Sequence, residues 1–444
     1  MAQKGTLGAA MRPFDLCAVL IVLAAVLSYL NVRWLKLPST IGLMALALVF
    51  ALSVVVFGSI FPVVGDEARA IVRQFDLSEA LLHGMLGFLL FAGALHVDIG
   101  DLASYKWAIT LLATLGVLIS VVIVAALTWA ALGFCGIHLR AIDCLLFGSL
   151  ISPTDPISVL ALLKKIGAPK ALEIQIAGES LFNDGVGVAV FTGLLEIATG
   201  EFDLDGRHLA VLFAQEAVGG IVFGLLIGLL VYRLLKTVDD YQVEILLSLA
   251  LVAGGYALAD TLHLSGPIAM VVAGLLIGNH GRSFAMSPTT IDHLDLFWSL
   301  VDEILNAILF VLIGLEVLIL TFSRSYLVAG MLAVVIVLTA RLVSVGLPVW
   351  ILRRWEQFEI SMVPILTWGG LRGGISVALA LSIPDTMPAR NAILTITYVV
   401  VVFSILVQGL TVGLFTRRWV ERTGQAIRTD SESHAGVNAV GDRQ

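Results

Sequence analysis

Three carboxylates and two guanidinium groups stand in stretches otherwise fit for hydrocarbon: Asp155, Glu179 and Asp184, with Arg341 and Arg372. An ionisable side chain at mid-bilayer costs at least about 2.5–3.5 kcal/mol, so each of these is a candidate for function. Glu179 and Asn183 are four residues apart, as are Ser180 and Asp184, so each pair shares one helix stripe and the two stripes adjoin. Ser180 and Asp184 then offer a hydroxyl and a carboxylate, hard oxygen ligands suited to a small dehydrated alkali cation. Glu179 needs a basic partner if buried, and Arg341 is the one available.

The run Ser152-Pro153-Thr154-Asp155-Pro156 places two prolines around Asp155. They remove two backbone donors and disfavour helix at Ser152 and Asp155, so this span is expected to be interrupted near its centre. Trp368-Gly369-Gly370-Leu371-Arg372-Gly373-Gly374 sets four glycines around one arginine and favours a second unwinding. Backbone freed in this way is tolerated only where it lines a cavity or is buried in protein. Paired interruptions in two halves of a chain point to a transporter built from inverted repeats, with the two broken helices crossing. In that arrangement Asp155 offsets positive half-helix N-termini and Arg372 offsets negative C-termini.

These residues need a membrane-sized scaffold, and the composition supplies one. Residues of the apolar set make up 59% of the chain and charged residues only 13%, which excludes an ordinary water-soluble domain. The apolar residues fall in about thirteen blocks of spanning length, centred near Ala24, Ala51, Gly87, Val121, Ile151, Val188, Val222, Leu249, Val272, Leu309, Val335, Ser376 and Val402. The expected fold class is an all-α polytopic membrane protein with two inverted six-helix repeats, broken in spans five and twelve. The domain reading is one transmembrane unit over residues 1–421, with repeat one about 14–199, a linker helix about 208–235 and repeat two about 241–417, followed by a short polar tail over 422–444. The first block carries Asp15, lacks a small-residue cleavage site and is retained as a mature span.

Basic residues orient the spans. Arg33, Lys36, Lys106, Lys164, Lys165, Lys170, Arg233, Lys236, Arg282, Arg353 and Arg354 fall on one side, together with the tail arginines Arg417, Arg418, Arg422 and Arg428. That side is expected to be cytoplasmic, with the amino terminus outside. The acidic loop Glu201-Phe202-Asp203-Leu204-Asp205 falls opposite. Cys17, Cys135 and Cys144 form no metal or disulfide framework. Glu196, Glu216, Glu244, Asp260 and Glu316 read as nearer span ends or as lacking a local motif, and His83, His96 and His263 as interfacial.

Ser152-Pro153-Thr154-Asp155-Pro156, then Gly178-Glu179-Ser180-Leu181-Phe182-Asn183-Asp184-Gly185, then Gly369-Gly370-Leu371-Arg372-Gly373 resemble the monovalent cation/proton antiporter family. The likeness is to the branch of prokaryotic sodium/proton antiporters related to animal sodium/proton exchangers, and it covers the membrane part of the chain. It implies a homodimer whose core domain shifts against a dimerisation domain. It also implies that Asp184 carries the ion and the proton beside Asn183, that Thr154 and Ser180 help hold Na⁺, and that Glu179 pairs with Arg341. Asn183-Asp184 in place of two aspartates resembles the electroneutral branch. Some relatives place a glutamate near the ion in the third span, where Leu90-Phe91-Ala92-Gly93-Ala94 stands here.

The expected function is therefore exchange of Na⁺, with Li⁺ as a second substrate, for H⁺ across the cell's inner membrane. This is transport, not enzymatic conversion. No cofactor beyond the transported ions and no nucleic acid partner is called for. The rivals are K⁺/H⁺ exchange, which the motifs separate less well than other classes, a cation channel, and a proton-coupled carrier for an organic solute.

Overall fold

The computed structural model describes residues 12–74, 77–200, 206–320, 323–352 and 362–419. The acidic loop at 201–205, Arg353, Arg354 and the tail over 422–444 lie outside the described residues.

Ten helices are long and apolar enough to cross a membrane. With the shorter helices between them, the elements run in the following order. The first group is α1 (Phe14–Leu35), α2 (Ser39–Gly58), α3 (Pro62–Leu95, which includes residues 75 and 76 outside the description) and α4 (Lys106–Leu132). Then come α5 (Ala141–Ile151), α6 (Ile157–Ile166), α7 (Lys170–Thr199), α8 (Ala214–Leu235) and α9 (Tyr241–Thr261). The last are α10 (Gly266–Leu276), α11 (Pro288–Glu316), α12 (Arg324–Leu352), α13 (Val363–Trp368), α14 (Gly374–Leu381) and α15 (Arg390–Trp419). The ten long helices contain ten of the block centres read from sequence. The centres at Ile151, Val272 and Ser376 fall instead on short pieces: α5 with α6, α10 with its continuation to Phe284, and α13 with α14.

The architecture is all-helical because lipid satisfies no backbone polar group, so each span must close its own hydrogen bonds. Where helices start and stop, local chemistry takes over. Asp240 accepts from the amides of Gln242 and Val243 at the start of α9, and Ser287 accepts from Thr290 at the start of α11. Gly167 (φ 66°) closes α6 and Gly200 (φ 84°) closes α7, in a left-handed conformation that costs other residues more. On α8, Gly220 and Gly224 bring the helix against backbone of Ser265 and Ala269 at the start of α10; a Cβ on either would fall 2.8 and 2.5 Å from those carbonyl oxygens.

The largest buried cluster joins α5 through Leu150 and Ile151, α11 through Phe310, α14 through Val377 and α15 through Ile405. It clasps both interruptions. The amide of Asp155 donates to the carbonyl of Leu371 at 2.8 Å, and these two residues form an isolated antiparallel bridge where the broken helices meet.

Candidate ion site at the crossed helix breaks

Each break leaves backbone groups that must find partners from elsewhere. At the end of α5, the Ser152 hydroxyl donates to the Gly148 carbonyl at 2.7 Å and shares a hydrogen bond with the Ser120 hydroxyl of α4 at 2.9 Å. The carbonyls of Ser152 and Pro153 both accept from Nη1 of Arg372, the second at 2.8 Å. Arg372 thus sits at the C-terminal end of α5, where carbonyl dipoles favour a cation, and is only 2% exposed. Its own amide donates to Oγ of Ser404 at 2.8 Å, and Nε2 of Gln408 donates to the Trp368 carbonyl at 3.0 Å. Ser404 and Gln408 bound a wide π turn in α15, which turns both toward the second break.

The glycines of that break serve close approach rather than unusual backbone. Among the described residues, none of Gly369, Gly370, Gly373 and Gly374 has positive φ. A Cβ on Gly373 would lie 2.5 Å from Oδ2 of Asp155, and one on Gly370 would lie 2.6 Å from Nε of Arg341. Asp155 therefore packs against the residue that precedes α14, at that helix's positive end.

Helix α7 carries the other polar residues to the same depth. Nδ2 of Asn183 donates to Oγ1 of Thr154 at 2.8 Å, while Oδ1 of Asn183 accepts from the Thr154 amide at 3.3 Å. The Thr154 and Ser180 hydroxyls share a hydrogen bond at 3.0 Å. Asn183 thus fixes the position of the Thr154 oxygen. On the next stripe, Glu179 and Arg341 of α12 form a bidentate ion pair, with Nη2 to Oε2 at 2.9 Å. Both are buried, and the Arg341 guanidinium also donates to the Leu366 carbonyl at the end of α13. This pair ties α7 to α12 and to the second broken helix.

Asp184 differs from Glu179, which Arg341 clamps. It is 7% exposed, and among the described residues no basic side chain lies within ion-pair distance of it. It lines a cavity of about 420 Å³ together with Pro153, Thr154, Asp155, Ser180 and Ser376. Asn183, Glu179, Arg341 and Arg372 do not line it and support it from behind. The oxygen-rich wall can hold a monovalent cation, and the carboxylate can hold either that cation or a proton. Leu90 and Gly93 of α3 also line the cavity, and among the described residues α3 contributes no acid to it.

Sequence reading missed several residues at this site. Asp302 and Asn306 of α11 line the cavity, as do Ser299 and His96, the residue that follows α3. An acid and an amide four residues apart in an apolar span were the available signal. Ser404 and Gln408 carried none, being single polar residues in a span. Glu196, Glu216, Asp260, His83 and His263 line a separate cavity of about 430 Å³. Glu244 and Glu316 are buried outside both.

The model of the family described as sodium/hydrogen exchanger, transmembrane, matches residues 21–418. The Na⁺/H⁺ antiporter NhaP of Pseudomonas aeruginosa is 51% identical over 425 residues, covering 95% of this chain and 100% of that protein. The Na⁺/H⁺ antiporter NhaH of Halobacillus dabanensis is 33% identical over 399 residues, covering 88% of this chain and 95% of that one. In fold, the chain is similar to the sodium proton antiporter MjNhaP1 from Methanocaldococcus jannaschii, with a TM-score of 0.72 at 20% identity, over 91% of this chain and 97% of that one. Sequence match, fold and the breaks that meet at Asp155 and Leu371 agree: this chain is a multi-pass membrane protein that belongs to the sodium/hydrogen exchanger family.

Proposed function

We propose that the chain exchanges Na⁺, and also Li⁺, for H⁺ by competition of the two at Asp184. The observation that carries this reading is a carboxylate buried at membrane depth, facing a cavity and without a basic partner among the described residues. Such a charge is costly unless a proton or a cation offsets it. Ser180 and Thr154, the latter held by Asn183, supply neutral oxygens beside it for a small cation. Asp155 adds negative potential at the cavity wall, while Glu179–Arg341 and Arg372 hold the helices in register.

If the helices carrying Asp184 reorient only when its charge is offset, one Na⁺ moves one way for each H⁺ moving the other. That exchange is electroneutral, and a proton gradient supplies its energy. The inverted-repeat reading, with 14–199 and 241–417 related across the helix near 208–235, is supported by the antiparallel sense in which the two breaks meet. On the basic-residue orientation, in the inner membrane with the carboxyl terminus in the cytoplasm, the cavity faces the cytoplasm past His96 and Lys164. A homodimer completes the reading.

The test is reconstitution of the purified protein in vesicles with a trapped pH dye and an imposed pH gradient. Addition of Na⁺ or Li⁺ dissipates the gradient at a rate indifferent to a clamped potential, and Asp184→Asn abolishes the response. A response to K⁺ alone moves the assignment to K⁺/H⁺ exchange. Exchange retained in Asp184→Asn sinks the mechanism.

A further inference from the structure

The wall of the cavity contributed by α11 is a ladder of polar groups that the exchange chemistry above does not use. Ser299, Asp302 and Asn306, with the apolar Leu309 beyond them, recur at helical spacing on one face of α11, and all four line the cavity. The two ends of this ladder fix its direction. Ser299 Oγ lies 3.5 Å from Nε2 of His96, whose side chain is 39% exposed, so this end is at the mouth. At the other end Leu309 packs on Gly374, where a Cβ would meet its side chain at 2.6 Å, beside the second break. Asp302 and Asn306 stand between mouth and break.

Their hydrogen bonds leave one oxygen unused. Nδ2 of Asn306 donates to the Asp302 carbonyl at 2.9 Å and to Oδ1 of Asp302 at 3.0 Å. Both partners are acceptors, so the amide orientation is dictated: reversing it would set oxygen against oxygen. Oδ1 of Asn306 is then without a hydrogen-bond partner on a residue only 3% exposed. A buried carbonyl oxygen left in this state is unfavourable unless a ligand or water meets it. An amide oxygen and a carboxylate oxygen one turn apart form a hard-oxygen pair for a cation.

The charge around the pair favours the same ligand. The cavity is lined by the carboxylates of Asp155, Asp184 and Asp302, against Lys164 and His96 near its mouth. A cleft dominated by one sign of charge raises the local concentration of counter-ions.

We propose that Asp302 and Asn306 form a second cation site, at which an entering alkali cation, still partly hydrated, pauses before it reaches Asp184. The proposal rests on the reading of Asp184 as the exchanging carboxylate.

The experiment is the vesicle assay at fixed pH, with Na⁺ titrated on the Asp302→Asn and Asn306→Ala proteins. Asp302→Asn raises the apparent KM for Na⁺ about five- to ten-fold, well beyond its effect on the maximal rate, because the staging charge is lost and the carrier is not. Asn306→Ala raises KM in the same direction by a smaller factor, and it carries the test alone if Asp302→Asn fails to fold. An unchanged KM in both variants overturns the proposal and leaves the pair as a polar contact within one helix. Complete loss of exchange in a well-folded Asp302→Asn protein also overturns it, since a staging site is dispensable. Exchange that survives Asp184→Asn sinks the carrier reading itself, an outcome independent of any shift at Asp302.

Discussion

Arg372 donates from one nitrogen to the consecutive carbonyls of Ser152 and Pro153, and so closes the end of one broken helix with a residue from the other. The two interruptions are therefore one structural unit, held by this contact and by the Asp155 to Leu371 backbone bond at 2.8 Å. Neither break has its backbone groups satisfied without the other.

Removing that guanidinium has a defined cost. Arg372→Met leaves the Ser152 and Pro153 carbonyls without this donor inside the protein, at about 1–3 kcal/mol for each buried group left unpaired. The melting temperature in detergent is expected to fall sharply. Arg372→Lys, which keeps a charge but not the planar fork, is expected to fall between Met and wild type.

The buried ion pair behaves differently when one or both members are changed. Arg341→Met leaves Glu179 charged and buried, a loss of about 3–5 kcal/mol. Glu179→Gln combined with Arg341→Met is expected to recover part of that loss, because the stranded charge disappears with its partner. Thermal unfolding of the single and double variants measures the coupling, and a double variant no more stable than Arg341→Met alone would contradict it.

Space decides the third case. Gly373→Ala places its Cβ 2.5 Å from Oδ2 and 2.7 Å from Cβ of Asp155, and a Cβ cannot swing aside as a flexible tip can. Overpacking of about 1–3 kcal/mol is expected, together with displacement of the Asp155 carboxylate from the cavity wall. A lower melting temperature accompanied by a raised KM for Na⁺ is the expected signature; normal values for both would show that the breaks can separate.

Thr154 separates oxygen chemistry from packing. Thr154→Ser keeps the hydroxyl that accepts from Asn183 and meets Ser180, whereas Thr154→Val keeps the shape and loses both bonds. If Thr154 supplies an oxygen to the ion as proposed, Thr154→Val is expected to raise the Na⁺ KM about ten-fold, with Thr154→Ser near wild type.

The competition at Asp184 proposed above would also dictate the pH profile. Below the carboxylate's working pH it holds a proton, Na⁺ must displace it, and the apparent KM for Na⁺ rises about ten-fold per pH unit of acidification. At alkaline pH Na⁺ binds readily but protons to release it are scarce, so the maximal rate falls. A bell-shaped profile with an acid-limb slope of one proton per Na⁺ is expected; a KM independent of pH on that limb would rule out competition.

What the sequence determined about this protein follows from properties that are local. Long apolar blocks in a chain with 13% charged residues can fold only as membrane helices. Prolines around Asp155 and glycines around Arg372 lie in single spans, so both interruptions were legible before any contact was known. The stripe spacing of Glu179, Ser180, Asn183 and Asp184 was legible for the same reason. The role of the glycines was not: in place of unusual φ angles, they make room for Arg341 and Asp155, residues far away in the chain. The assignment of partners was likewise a tertiary decision. Which carbonyls Arg372 meets, why Asp184 faces a cavity while Glu179 is clamped, and that Asp302 and Asn306 share that cavity all depend on how α5, α7, α11 and α14 converge. Helix periodicity fixes the face on which a side chain stands, but only the packing of neighbouring helices decides what that face meets.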